Sequence, residues 1–318
     1  MASYTLLPED LSDIPPSWFD IKLSQRRQKT QNKALVSFYE EEVRVLRSYH
    51  DGELQADAAA EAITRPISSS PVPELGGYSD DATALCHLWA LLVDALIEWP
   101  SGRTPSLVAL LSAVSRVPDP IHRGEALDDD DQPLLWNSLP FFTMVWSDAH
   151  WMQPGMITRR AASDEASRSR GRRIYIQQQD VEARLVAAGL LQWKRAFQYL
   201  IAALERTPGP EDRREAENDG QADGQLKLDF HIAAAARWME HDGERLYAAI
   251  VGDELRSWDE RDIPAHAIKF ESPTERWAYW EHRLGEIERE EPDDFTREAA
   301  RKALEYMQHA KEGSGMKE

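Results

Sequence analysis

The stretch ALCHLWALLVDALIEWPSGRTPSLVALLSAVSRVP, residues 84–118, decides the fold class. Leu85, Leu88/Trp89, Leu92, Leu96 and Trp99 recur every three or four positions, which places apolar side chains on one face of a helix. Pro100 ends the pattern. Thr104-Pro105 opens a second one with a capping hydroxyl and a proline in the first turn, where a missing N–H costs nothing. Leu107, Leu110/Leu111, Val114 and Val117 follow, and Pro118 closes it. A short loop joins the two patterns, so the spacing predicts an antiparallel helical hairpin.

The same period continues on both sides. Toward the N-terminus, Leu35, Phe38/Tyr39, Val43, Leu46 and Tyr49 predict a helix ending at His50. Leu54, Ala58, Ala62 and Ile63 predict a shorter one, capped by Asp51 and stopped by Pro66. Toward the C-terminus, a helix from Ser138 carries Phe141/Phe142, Val145/Trp146 and Ala149, and a long one over 177–205 carries Val181, Leu185, Trp193, Phe197, Leu200 and Leu204. Asp229–His241 should form another helix, with Gly243 as its left-handed cap and a separate short helix following around Leu246 and Ile250. Ser272-Pro273-Thr274-Glu275 is a capping box before Trp277, Trp280, Leu284 and Ile287. A last helix starts at Asp293 or Asp294.

No segment alternates apolar and polar residues long enough to be a strand, and no period of 20–50 residues repeats. The expected fold is all-α: about ten helices in stacked antiparallel hairpins, forming one elongated or bundle-like domain over 22–290. Residues 1–21, with three prolines, read as an extended arm pinned by Trp18 and Phe19. Residues near 155–173 and 207–225 read as flexible insertions, and 293–318 as a C-terminal helix with a frayed tail.

Composition narrows the function classes. Hydrophobic residues make up 42% and charged residues 29%, as in ordinary soluble domains. A net charge of −19 repels phosphate backbones and anionic bilayers, so neither nucleic acid nor membrane is an expected partner. One cysteine, Cys86, cannot make an internal disulfide, which fits a reducing compartment. The N-terminal MASYTLLPEDLSDIPPSWF has neither the basic nor the apolar region of a signal peptide, so the expected location is the cytoplasm or nucleus and not the exterior.

The nine histidines form no H-E-x-x-H and no i, i+4 pair, and C-x-x-C, G-x-G-x-x-G, Walker and G-x-S-x-G patterns are missing. No cofactor or metal is therefore expected, and a zinc site would have to be assembled from distant positions. Asp148 and His150 flank Ala149, but on a helix positions i and i+2 diverge, so they do not make a catalytic pair. Cys86 and His87 diverge likewise. The run Asp128–Asp131 lacks the glycine and distal glutamate of a calcium loop and reads as solvated. Arg159, Arg160, Arg168, Arg170, Arg172 and Arg173 are the one reversal of sign, suited to an acidic partner, to phosphate or to the chain's own Asp128–Asp131. Ser163 close to Arg160 also suits a basophilic kinase, which makes this segment a candidate partner or phosphoregulation loop. The eleven tryptophans sit mostly on the apolar stripes and read first as core. Trp146, Asp148, His150, Trp238 and Trp280 are the candidates for a groove taking an apolar or aromatic ligand or a partner helix.

Several blocks carry a resemblance: VRVLRSYHDGEL (43–54), LWALLVDALIEWP (88–100), LVALLSAVSRVP (107–118), WNSLPFFTMVWSDAH (136–150) and IAAAARWMEHDGERLYA (232–248). They resemble an uncharacterised fungal all-helical family defined only as a domain of unknown function, number 3632, over roughly residues 38–285. A proline that the resemblance leads one to look for near His231 is missing from LDFHIAAAARW. The resemblance implies a soluble fungal protein, of stand-alone or accessory kind, in some cases associated with specialised metabolism, and brings no catalytic residues with it. The expected function is a non-enzymatic interaction or accessory protein. The alternative is a small-molecule binder or cofactor-free enzyme with a Trp-lined pocket.

Overall fold

The computed structural model describes residues 14–29, 33–69, 80–119, 136–149, 154–161, 164–205, 227–252, 254 and 268–313. Among them are twelve α-helices, two short 3₁₀ turns and no strand, so the chain is all-α. Its contacts gather in two compact units, Met1–Trp151 and Met152–Glu318, where periodicity alone suggests one body over 22–290.

The first unit contains α1 (Ser17–Lys29), α2 (Lys33–His50), α3 (Ala56–Ser69), α4 (Asp80–Glu98), α5 (Thr104–Val114) and α6 (Phe142–Ala149). Leu88, Trp89, Leu91, Leu92, Val93, Leu96 and Ile97 of α4 are all buried, so this helix is covered around most of its circumference, with Cys86, His87, Ala90 and Asp94 half-buried along the remaining stripe. α5 packs chiefly on α3 and only lightly on α4, so the predicted hairpin is splayed. Residues 17–21, expected in an extended arm, are the first turn of α1. Trp18 and Phe19 are buried, and the Trp18 indole N–H donates to the buried Glu98 carboxylate at 2.7 Å.

Pro66 lies inside α3 and does not stop it. It forfeits one hydrogen bond near the end of the helix, while Ile67 just beyond it is fully buried, a gain of about 1.5–3 kcal/mol. Asp51 does not cap α3. It belongs to the turn closing α2, where Gly52 takes φ +78° and the Glu53 N–H reaches the Ser48 carbonyl.

Between a 3₁₀ turn at Trp136–Ser138 and α6, Leu139 and Phe141 both adopt positive φ, +44° and +64°. Such conformations cost roughly 1–3 kcal/mol each. Leu139 and Phe142 are buried, and the Trp89 indole N–H donates to the Pro140 carbonyl, which together offset the strain.

The second unit contains α7 (Pro154–Ala161), α8 (Glu165–Ala187), α9 (Lys194–Leu204), α10 (Leu228–Val251), α11 (Pro273–Glu290) and α12 (Asp294–Gly313). α10 is its axis, packing on α8, α9, α11 and α12. It runs unbroken through Gly243, which is therefore no cap. A Cβ there would stand 3.5 Å from the Ala310 methyl, an ordinary contact, so Gly243 faces α12 from inside the helix. The long helix predicted over 177–205 is two helices. Gly189 at φ +75° ends α8, with the Leu190 N–H on the Leu185 carbonyl and the Gly189 N–H on that of Val186. The capping box at Ser272 is present, as is an Asp293 cap that accepts from the Thr296 backbone and hydroxyl.

The described residues of 155–173, a segment read from sequence as a flexible insertion, are instead helical, in α7 up to Ala161 and in α8 from Glu165, and the two helices pack together. Asp164 caps α8 by accepting from the Ala166 N–H. Ile157 of α7 seats against Gly171 of α8 so closely that a Cβ on Gly171 would fall 2.1 Å from the Ile157 Cγ2 methyl. Three apolar positions on α7, at intervals of three and four residues, were too few to reveal the hairpin in sequence. The insertion expected at 207–225 lies outside the described residues.

Gly171→Val should accordingly lower the unfolding free energy by about 1–3 kcal/mol through overpacking, measured by urea denaturation. A flexible segment would absorb the side chain at no cost.

Candidate functional site

The middle of α8 breaks the usual rule of an apolar inward face. Gln178, Gln179, Asp180 and Glu182 are all buried, and buried polar groups destabilise a fold unless they are hydrogen-bonded. Here partners arrive from α9 and α10. The Trp238 indole N–H donates to Gln179 Oε1 at 2.8 Å, and Arg195 pairs with Glu182. The Tyr175 and Tyr199 hydroxyls lie 3.0 Å apart, with His231 Nδ1 at 3.4 Å from the first, and Tyr199 stacks on Trp238. Burial pushes both phenols well above their usual range, so they serve as neutral hydrogen-bonding groups and not as bases.

Asp180 is the most elaborated member of this belt. Arg184, one turn on, donates to its Oδ2 at 2.8 Å, and His241 Nε2 lies 2.9 Å from its Oδ1. Burial alone would raise this carboxyl. The hydrogen bonds from His241 and Arg184 outweigh it and hold the group below the usual carboxylate range. Glu240, adjacent to His241 on α10, completes a triad whose ligand-capable atoms lie within 4.8 Å of one another, and Arg237 donates to its Oε2 at 2.7 Å.

The six arginines are sorted by the hairpin. Arg168 and Arg172 turn inward and both grip Asp229, at 2.6 and 3.0 Å, at the start of α10. Arg168 also lies over the Phe230 ring and Arg172 over that of Phe295. Arg159 and Arg160 on α7, and Arg170 and Arg173 on α8, are exposed.

The other sequence candidates are dispersed. Trp146 is fully buried in the first unit. Asp148 is exposed on α6, close enough to Cys86 to add to the burial that pushes that thiol up, away from reactivity. Trp238 and Trp280 are buried in the second unit, Trp280 with its indole N–H on Glu205 at 2.9 Å and its ring against Phe197. These rings are buried in the cores of their own units. His150, Ser163 and Asp128–Asp131 lie outside the described residues. Sequence reasoning missed Asp180, Glu240 and His241. The available signal was the polar run Gln177-Gln178-Gln179-Asp180 between apolar residues of one helix.

A family model described as a protein of unknown function (DUF3632) matches residues 89–284, well over half of the chain. The chain belongs to this family. No match was found among curated proteins or among solved structures. The DUF3632 match takes in the polar belt of α8, the triad and all six arginines, and begins after α1–α3, so VRVLRSYHDGEL at 43–54 falls outside it.

Ahead of the DUF3632 match, the first unit buries Glu42 and half-buries His87 with little compensation. Glu42 is 1% exposed, and among the described residues no donor reaches its Oε2. Burial pushes its carboxyl up to about 8. His87, its Nδ1 likewise unpartnered among the described residues, is pushed down by burial to about 4, with Arg26 and Lys29 adding to the effect.

These groups act on stability in opposite directions. Between pH 4.5 and 8 the folded chain keeps a Glu42 proton that the unfolded chain has released, so stability falls as pH rises. Between pH 6.5 and 4 the unfolded chain binds a His87 proton that the folded chain refuses, so stability falls as pH drops. The slopes cancel where they overlap, and above pH 6.5 that of Glu42 remains. Glu42's contribution to the unfolding free energy should drop by roughly 1–2 kcal/mol from pH 6.5 to 8. Glu42→Gln should flatten Glu42's share in denaturation curves across this range. An unchanged slope would show that Glu42 does not hold its proton.

Proposed function

We propose that this DUF3632 protein is a non-enzymatic interaction protein of a fungal cell, an accessory to specialised metabolism, working in the cytoplasm or nucleus through the outward face of the α7–α8 hairpin. The observation that carries the reading is the sorting of the arginines. Arg168 and Arg172 brace the hairpin on Asp229, and Arg159, Arg160, Arg170 and Arg173 lie exposed on its two helices, in a chain whose net charge is −19. Positive charge on a fixed surface of an acidic protein attracts an acidic segment of a partner, while the overall field keeps nucleic acid and anionic membranes away. The fungal setting and the link to metabolism rest on the resemblance of the sequence blocks quoted above. The compartment is supported by the single, half-buried cysteine, and among the described residues no helix is long and apolar enough to cross a membrane. The alternative of a Trp-lined pocket draws no support from Trp146, Trp238 and Trp280, whose rings are enclosed by their own units.

The test is binding of a fluorescent poly-glutamate peptide, followed by anisotropy at low and high salt. The wild type should bind at low salt and release as salt screens the contact. Replacing Arg159, Arg160, Arg170 and Arg173 together by Glu should abolish binding while leaving the circular dichroism spectrum intact. Equal binding by the reversed variant would place the working surface elsewhere.

A further inference from the structure

The triad on α8 and α10 has a use that the ion pairs around it do not exhaust. We infer that Asp180, Glu240 and His241 form a binding site for a divalent transition-metal ion of the zinc class. The donors are two carboxylates and one imidazole, a borderline set suited to such ions, and they converge within 4.8 Å from positions sixty residues apart. Asp180 is buried, His241 is half-buried and Glu240 is exposed, so an ion can reach the site from one side.

The two arginines bear on this directly. Arg184 holds Oδ2 of Asp180, and Arg237 holds Oε2 of Glu240 while its Nε stands 3.9 Å from Asp180 Oδ1, the oxygen that faces His241. Guanidiniums paired with carboxylates orient them as hydrogen-bonding neighbours of metal ligands do. They also supply positive charge, which weakens the pull on a dication and disfavours a purely electrostatic guest such as magnesium. An ion that makes a directional bond to the imidazole is favoured over one that does not. His241 would bind as neutral imidazole through Nε2, exchanging its contact with Asp180 for a shared metal. Three protein ligands leave a fourth position for water. The inference is independent of the arginine ridge, which lies on other residues.

The experiment is isothermal titration of the chelator-treated full-length protein with zinc chloride, with magnesium chloride in parallel, and cobalt(II) absorption as a second readout. Expected are one saturable zinc site, no comparable magnesium site, and a cobalt spectrum of low coordination number. Glu240→Gln, at an exposed position where folding is not at stake, should weaken zinc binding about tenfold or more, and His241→Ala should remove it. Absence of saturable uptake at one equivalent would overturn the assignment. So would uptake that Glu240→Gln leaves unchanged, since the ion would then sit on other histidines. Should His241→Ala fail to fold, Glu240→Gln and the cobalt spectrum decide the matter alone.

Discussion

A carboxylate removed from water must be given donors, and each unit of this chain is arranged around that requirement. In the first, Glu98 lies buried at the end of α4 and receives the Trp18 indole N–H and the Lys22 ammonium, both from α1. In the second, Glu205 at the end of α9 receives the Trp280 indole N–H, the Arg276 guanidinium and the Ile268 backbone N–H. Removing one partner from such a pair typically costs about 3–5 kcal/mol, because the remaining charge is left buried alone. These contacts set which helices must meet: α1 on α4, and α11 on α9. The apolar surfaces supply most of the burial, but they tolerate many arrangements. The buried charges are specific to one.

α8 extends the same logic along its length. Its C-terminal half is buried polar belt, satisfied by α9 and α10, and its N-terminal half carries the arginines. The join between the two is Asp229, a first-turn residue of α10 that both complements the helix dipole and holds Arg168 and Arg172. Breaking a half-buried pair of this kind costs more than breaking a surface ion pair, whose median contribution is about 0–1 kcal/mol, because the remaining charge is poorly solvated. The exposed arginines therefore ride on a helix whose position is set from inside. That is the physical difference between a charged loop and a charged surface.

Much of this architecture was legible in the sequence. The three- and four-residue period identified the helices of the core, and the capping box at Ser272 and the tryptophan stripes of α4 and α11 were plain. The failures share a cause. Pro66, Gly243 and the 155–173 segment were read by local propensity, and tertiary packing overrode it in each case: Ile67 carries the helix past Pro66, α12 packs beside Gly243, and Ile157 sits on Gly171. The triad was hidden for a different reason. Asp180 and His241 are far apart in sequence and neither belongs to a spaced motif, so only the packing of α8 on α10 brings them to 2.9 Å.

The central claim is that the arginine-bearing end of α8 is a fixed helical surface. Amide hydrogen exchange across residues 168–176 tests it most directly. Protection approaching that of the middle of α10 is the result this structure requires, since the Arg168 N–H already bonds the Asp164 carbonyl at 3.0 Å and the helix is anchored through Asp229. Exchange at the rate of an unstructured peptide would contradict it, and the arginines would then be a charged loop after all.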